Sequence, residues 1–187
     1  MKRSYLKRFA TTVSLATTLA AFPTAAMAAT DIFLKLGDIK GESLDSKHPN
    51  EIDVLSWSWG ESDGSSPAAK RSGSGLAVPD CVQDVSVTKL VDAATPDIII
   101  DAVSGRVVPG ATLTMRKDGK TPSEFLTIQL SNVSISSYNT GATAGDDRFA
   151  EHFTLHFQRM EGSYRRQKAD GSLDAPVQWA VAGGNCG

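Results

Sequence analysis

Residues 41–60, GESLDSKHPNEIDVLSWSWG, join two unlike halves, and the reading of that junction decides the fold. From Glu51 on, Asp53, Leu55, Trp57 and Trp59 alternate with Ile52, Val54, Ser56 and Ser58. That two-residue period is the signature of a sheet strand with its aromatics on one pleat face. Ahead of it, Gly41, Asp45, Ser46, Pro49 and Asn50 crowd turn formers together, and Pro49 has no donor for a ladder. The first half is therefore expected to project as an extended arm. Trp57 and Trp59 on one face read as core; the competing reading is an aromatic ligand surface completed by Trp179.

Upstream of the arm, Lys2, Arg3, Lys7 and Arg8 form a basic head, residues 9–21 an uncharged apolar run, and Ala26-Met27-Ala28 a small-residue cleavage site. Residues 1–28 thus read as a secretory signal peptide, too short in its apolar run for a membrane span. The alternative is that Met27 is the initiator. Residues 29–187 are expected to form one domain. Removing the leader's four cations leaves 15 basic against 21 acidic residues, a formal charge of −6. An acidic chain without interleaved basic and aromatic clusters is a poor nucleic-acid binder, so neither nucleic acid nor membrane insertion is expected.

Downstream, residues 61–75 are rich in Gly, Ser and Pro and read as a surface loop; they lack the helix and Lys-Ser/Thr ending of a phosphate-binding loop. Residues 82–90 read as a strand. Thr95-Pro96-Asp97 signals a helix start with Thr95 as cap, Ile98, Ile99, Ile100, Ala102 and Val103 as its apolar face and Gly105 as its stop. Residues 111–117 alternate Ala111, Leu113 and Met115 inward against Thr112, Thr114 and Arg116 outward, and Asp118-Gly119 turns the chain. In the return strand the apolar phase slips from Leu126, Ile128 and Leu130 to Val133 and Ile135, which predicts a bulge near Ser131-Asn132. Residues 148–158 are a strand with Glu151 an exception on the face of Phe149, Phe153, Leu155 and Phe157, and residues 177–181 are the last strand. One short helix among strands favours a mainly β fold: a compact two-sheet barrel with one short helix and an extended loop.

The chemistry-bearing residues do not assemble into a catalytic pattern. His152 and His156 share a strand face but lie roughly 13 Å apart at about 3.3 Å per residue, too far for one metal ion. No Gly-x-Ser-x-Gly elbow is present, and Asp146-Asp147 sits in a glycine-rich turn. No enzyme activity, metal or cofactor is expected. Cys81 and Cys186 are an even pair, a disulfide in an oxidising compartment and two thiols in a reducing one.

Residues 34–43, Asp45, Lys47-His48 and residues 51–60 resemble the opening of the haemolysin-coregulated protein (Hcp) family of type VI secretion. The likeness returns in residues 82–89, Thr95-Pro96-Asp97, Ser104-Gly105, Pro109, Ala111, Leu113-Thr114 and Arg116-Lys117. It recurs in residues 145–148, Glu151, Leu155, residues 167–171 and Pro176-Val177. The resemblance implies a barrel that forms six-membered rings stacking into a tube, with a secretion-apparatus tip protein and effector cargo as further partners. It also implies that Gly41, Glu42, Ser43, Asp45, Lys47, His48 and Asn50 belong to the loop laid against the next ring. Two features depart from the family: the leader, and the ending from Gln178 to Gly187. They point to a secreted or periplasmic variant, with retention in the cytoplasm until ejection if Met27 is the start, and leave an exported non-enzymatic binding module as the alternative.

Overall fold

The computed structural model describes residues 29–62, 81–118, 122–145, 147–168 and 170–183. The leader, most of the 61–75 segment, Gly119, Asp146, Cys186 and the Cys81 side chain lie outside that description, and the expectations placed on them, the disulfide included, go with them. The strands are β1 (Thr30–Leu36), β2 (Ile52–Asp53), β3 (Ser56–Ser58), β4 (Glu61–Ser62), β5 (Cys81–Val82), β6 (Val85–Leu90), β7 (Val107–Lys117), β8 (Ser123–Gly141), β9 (Ala150–His156), β10 (Arg159–Tyr164) and β11 (Val177–Ala182). Among the described residues one helix, α1 (Thr95–Ser104), lies between β6 and β7. Among the described residues no helix is long and apolar enough to cross a membrane.

Nine strands share one antiparallel sheet in the order β2-β1-β7-β8-β9-β6-β3, with β10 on β8 and β11 on β10; β4 and β5 form a separate pair. The two ends of that path, β2 and β3, are consecutive in the chain, which itself bridges them. The Val54 N–H donates to the Ile32 carbonyl at 2.9 Å and the next N–H, that of Leu55, to the Thr88 carbonyl at 2.8 Å. The sheet therefore wraps into a barrel. The unbroken strand expected from residue 51 is corrected to two short ones, because a bridge between two sheet edges must turn over. Ile52 and Val54 point inward, Leu55 is exposed, and Trp57 and Trp59 pack against the core in the opposite phase.

A crease divides the sheet. Inward residues shift phase between Val108 and Ala111 on β7, between Leu130 and Val133 on β8, and between Phe157 and Met160 at the β9–β10 junction. Pairing stays in register across β7, β8 and β10 there. Asn132 sits on the crease with φ 52°, a left-handed conformation that Asn tolerates. Its amide donates to the Gln158 side chain at 2.9 Å. Gly110 lets the strands close in, since a methyl there would meet the Leu130 carbonyl oxygen at 2.8 Å. The phase slip is thus a bend shared by neighbouring strands, and the bulge expected there is corrected. The register shifts fall between Met115 and Arg116 and between Ile135 and Ser137.

The helix follows its stop signal and departs from its start signal. Gly105 takes φ 66° and its N–H reaches the Asp101 carbonyl. The cap is Ala94, with no side-chain bond, because Thr95 is already helical and its hydroxyl is used elsewhere. Of the expected apolar face, Ile98 is buried and Ala102 packs against the core, whereas Ile99, Ile100 and Val103 are exposed. A ten-residue helix lying on a barrel has room for only one inward stripe.

Candidate functional site

The expected arm doubles back on the barrel as a hairpin. The Gly41 N–H donates to the Asn50 carbonyl at 2.9 Å, the Asn50 N–H to the Ser43 carbonyl at 2.9 Å, and the Ser43 N–H to the Glu51 carbonyl at 3.0 Å. Gly41 is required at this crossing, because a Cβ there would lie 2.4 Å from the Glu51 carbonyl oxygen. Asp45 organises the tip: its Oδ1 accepts the Lys47 N–H at 2.8 Å and the His48 N–H at 3.2 Å. Those bonds, led by the Lys47 N–H and supplemented by Arg116, hold its carboxyl below the ordinary carboxylate value.

Two side chains clamp this hairpin to β1 and β7. His48 is buried, its ring stacked on Phe33 at 4.3 Å, with Nδ1 3.0 Å from Glu51 Oε2 and Nε2 3.6 Å from Glu124 Oε1. The Arg116 guanidinium lies 4.9 Å over the Phe33 ring and bridges Asp31 Oδ2 at 2.9 Å and Asp45 Oδ2 at 2.7 Å. Asp31 first, then Asp45, push its pKa up. Thr114 and Arg116 were expected to face solvent; both are buried, because the hairpin covers that face of the sheet. Of the seven loop residues singled out, Gly41, Ser43 and His48 are buried, Asp45 is half-buried, and Glu42, Lys47 and Asn50 are exposed. The residue missed is Leu44, 98% exposed at the tip. An apolar residue inside a polar turn was its signal.

Glu151, the exception on an apolar face, meets Lys89 at 2.7 Å, and both side chains are wholly buried. The Lys89 ammonium also reaches Asp92 Oδ1 at 2.6 Å and the Leu90 carbonyl at 2.9 Å. Thr95 donates to Glu151, and the Tyr138 hydroxyl donates to Glu151 Oε2 at 2.9 Å. Burial first, then Glu151, pushes the Tyr138 phenol above its ordinary value. This network ties the start of α1 to β6, β8 and β9. The hairpin joins it at one point, where Glu42 Oε1 accepts the Ala93 N–H at 3.0 Å.

The outward face of β6, β8 and β9 is polar. His156 Nδ1 lies 3.0 Å from Asp84 Oδ1, the Ser136 hydroxyl donates to Asp84 Oδ2, and both Ser136 and Ser137 lie 2.7 Å from Thr154 Oγ1. The register shift at this point aims two successive serines to one side. The order of contacts is Ser–Asp–His, so the hydroxyl has no imidazole base, and nucleophilic catalysis needs the imidazole in the middle. His152 pairs instead with the Thr88 hydroxyl at 2.8 Å. The described residues hold no cluster of three or more His, Cys, Asp or Glu suited to a metal.

Among the described residues β11 pairs only with β10 and no strand lies on its other edge, with Val177 exposed by 67%. Trp179, opposite Gly162, lays its ring where a side chain on Gly162 would sit. Beside it runs an open groove of about 570 Å³ lined by Thr127, Gln129, Glu161, Ser163 and Gln178.

A closing barrel, one helix and a clamped hairpin between β1 and β2 have counterparts among known proteins. Residues 33–164 match the family described as type VI secretion system effector, Hcp. The chain belongs to the Hcp family. Protein Hcp1 of Pseudomonas aeruginosa is 45% identical over 153 residues, covering 81% of this chain and 93% of its relative. A solved type six secretion system protein superposes with a TM-score of 0.71 at 27% identity, over 82% of this chain and 96% of the other. Hcp1 from Salmonella typhimurium does so with a TM-score of 0.64 at 27% identity, over 83% and 95%. The Hcp match begins within β1 and ends with β10 at Tyr164, so it takes in the hairpin, α1 and the Lys89–Glu151 network. The open edge of β11 and Trp179 lie beyond it.

Proposed function

We propose that the chain is a structural subunit that closes into a six-membered ring and stacks into a tube of the type VI secretion kind, without catalysing a reaction. The observation that carries this reading is the open edge of β11. An exposed strand edge with apolar side chains templates uncontrolled pairing unless a partner covers it, and a closed ring of identical copies covers every such edge. The hairpin residues Gly41, Glu42, Ser43, Asp45, Lys47, His48 and Asn50 then supply the surface toward the next ring. The polar faces of the barrels suit carriage of effector cargo, and a tip protein would complete the assembly. Export follows from residues 1–28, with cleavage placing the ring in the periplasm or outside the cell and allowing Cys81 and Cys186 to pair.

Light scattering after size exclusion, with negative-stain imaging, tests the assembly: a mass of six chains and ring-shaped particles are expected, and a monomer at high concentration overturns it. Intact mass of the native protein, with and without reductant, tests the rest. A chain starting near Ala29 with a disulfide supports export; one starting at Met27 with free thiols places it in the cytoplasm before ejection. The groove beside Trp179 favours a second reading, an exported binding module. Trp57 and Trp59 pack on the core, so Trp179 alone carries it, and tryptophan emission that shifts with added glycans or peptides would support it.

A further inference from the structure

We propose that the outer face of β8, β10 and β11 binds an acidic oligosaccharide, with Arg165 holding its carboxylate; the site needs neither a ring nor Trp179 and so stands apart from both readings above. Two clefts meet on this face. One, of about 570 Å³, lies over Gln129, Glu161 and Gln178, and the other, of about 480 Å³, lies beside Lys47, Arg165 and Ser172. Both are walled by Thr127 and Ser163, which are partners across β8 and β10, so the clefts join into one trough. Gln178 on β11 stands opposite Ser163 and carries the polar row across a third strand. The Ser123 hydroxyl, at the wall of the trough, has no hydrogen-bond partner.

The lining selects the ligand. Its hydroxyls and carboxamides each offer both a donor and an acceptor, the mixture that sugar hydroxyls require. The floor has no backbone to give: around Thr127 and Gln129, β8 is paired with β7 and β10, and β10 with β8 and β11. A peptide added as a strand needs a free edge and side-chain pockets, so it is not the occupant. Charge sets the rest. Glu124 lies 4.0 Å from Lys47 and 3.6 Å from His48, Glu161 lies 2.7 Å from Arg159, and Asp174 takes Arg166 at 2.8 Å and Lys168 at 3.3 Å. Asp170 turns Oδ1 into its own loop, to the Ser172 N–H at 2.9 Å and hydroxyl at 2.7 Å. Arg165 is exposed at the trough and meets no carboxylate among the described residues. One uncommitted guanidinium beside a row of hydroxyls fits a sugar chain that carries carboxylates, because a guanidinium takes a carboxylate through two parallel bonds. It is too little for a nucleic-acid backbone, whose affinity comes from many cations.

Calorimetric titration of the native protein with trigalacturonate tests the site, with maltotriose, triglutamate and inorganic phosphate as comparisons and light scattering on the same samples. The wild type is expected to bind trigalacturonate saturably and maltotriose more weakly. Arg165→Gln should weaken trigalacturonate about tenfold, the worth of one charge-assisted pair, and leave maltotriose unchanged. Thr127→Val, close in shape and on a strand paired on both sides, should weaken both sugars, and unchanged melting curves verify that both variants fold. Absence of saturable trigalacturonate binding, or equal binding by Arg165→Gln, overturns the site. Phosphate or triglutamate bound as tightly as trigalacturonate makes the trough a general anion patch or a peptide groove and overturns the sugar. The mass separates this proposal from the assembly: rings that bind no sugar keep the assembly and overturn the site, and a monomer that binds sugar does the reverse.

Discussion

Two polar clusters fasten non-strand elements to the same barrel, and they do so under opposite conditions. Beneath α1, Lys89 and Glu151 are wholly enclosed and meet at 2.7 Å. At the hairpin, Arg116 is nearly enclosed but Asp31 and Asp45 keep contact with solvent. The enclosed pair must remain complete, because Glu151 without Lys89 is a buried carboxylate that has lost its cation. The hairpin clasp can open without stranding one, since water reaches its carboxylates. One cluster belongs to the folded state as a whole, and the other holds a part that can be released.

The largest expected effect breaks the enclosed pair. Lys89→Met leaves Glu151 buried without its cation and should cost about 3–5 kcal/mol in urea unfolding, whereas Lys89→Met with Glu151→Leu should regain most of it, buried pairs being worth little against apolar replacements. Tyr138→Phe removes one bond to Glu151 and should cost about 1 kcal/mol. In the wild type that phenol is raised in the folded state, so its contribution is complete below pH 10 and fades as pH rises through the folded value; absorbance titration reads both. On the crease, outside either cluster, Asn132→Ala should cost about 1 kcal/mol for a left-handed residue and Asn132→Gly less.

The smallest effect on global stability belongs to the hairpin. Asp45→Asn should leave the unfolding midpoint nearly unchanged while the Ser43 and Asn50 amides exchange faster. The Asp45 carboxyl is held below 3.8, so the clasp is whole above that pH and weakens as pH falls through the lower folded value. Amide exchange followed down in pH should show the hairpin opening before the barrel, and the Asp45→Asn variant should lack that acid dependence.

The alternating runs were legible wherever one face meets the core: Ala111, Leu113 and Met115, and later Phe153 and Leu155, sit as their period requires. The pattern failed where a second layer covers the other face. Thr114 and Arg116 look solvent-facing by alternation, and only the returning hairpin buries them. Glu151 looked like a fault in an apolar face because its partner, Lys89, lies far off in the sequence. The hairpin residues were found through a family likeness, and its mode of attachment was not, since a stack of His48 on Phe33 leaves no periodic trace. Strand β10 went unread, for Arg159, Glu161 and Gly162 break any apolar alternation, and its partner β11 is an edge.

The pairing of β1 with β7 has a consequence in time. Asp31 and Arg116 meet across 85 residues of chain, while β7, β8, β9 and β10 follow one another by direct connections. Local pairs form with little loop-closure entropy, and distant ones wait for the chain ends to find each other. The group of β7, β8, β9 and β10, built on the long strand β8, should therefore assemble first, and the β1 seam should close late with Arg116 as its rivet. Because the hairpin hangs from the same arginine through Asp45, a chain caught before that closure would lack the clasp that orders the hairpin.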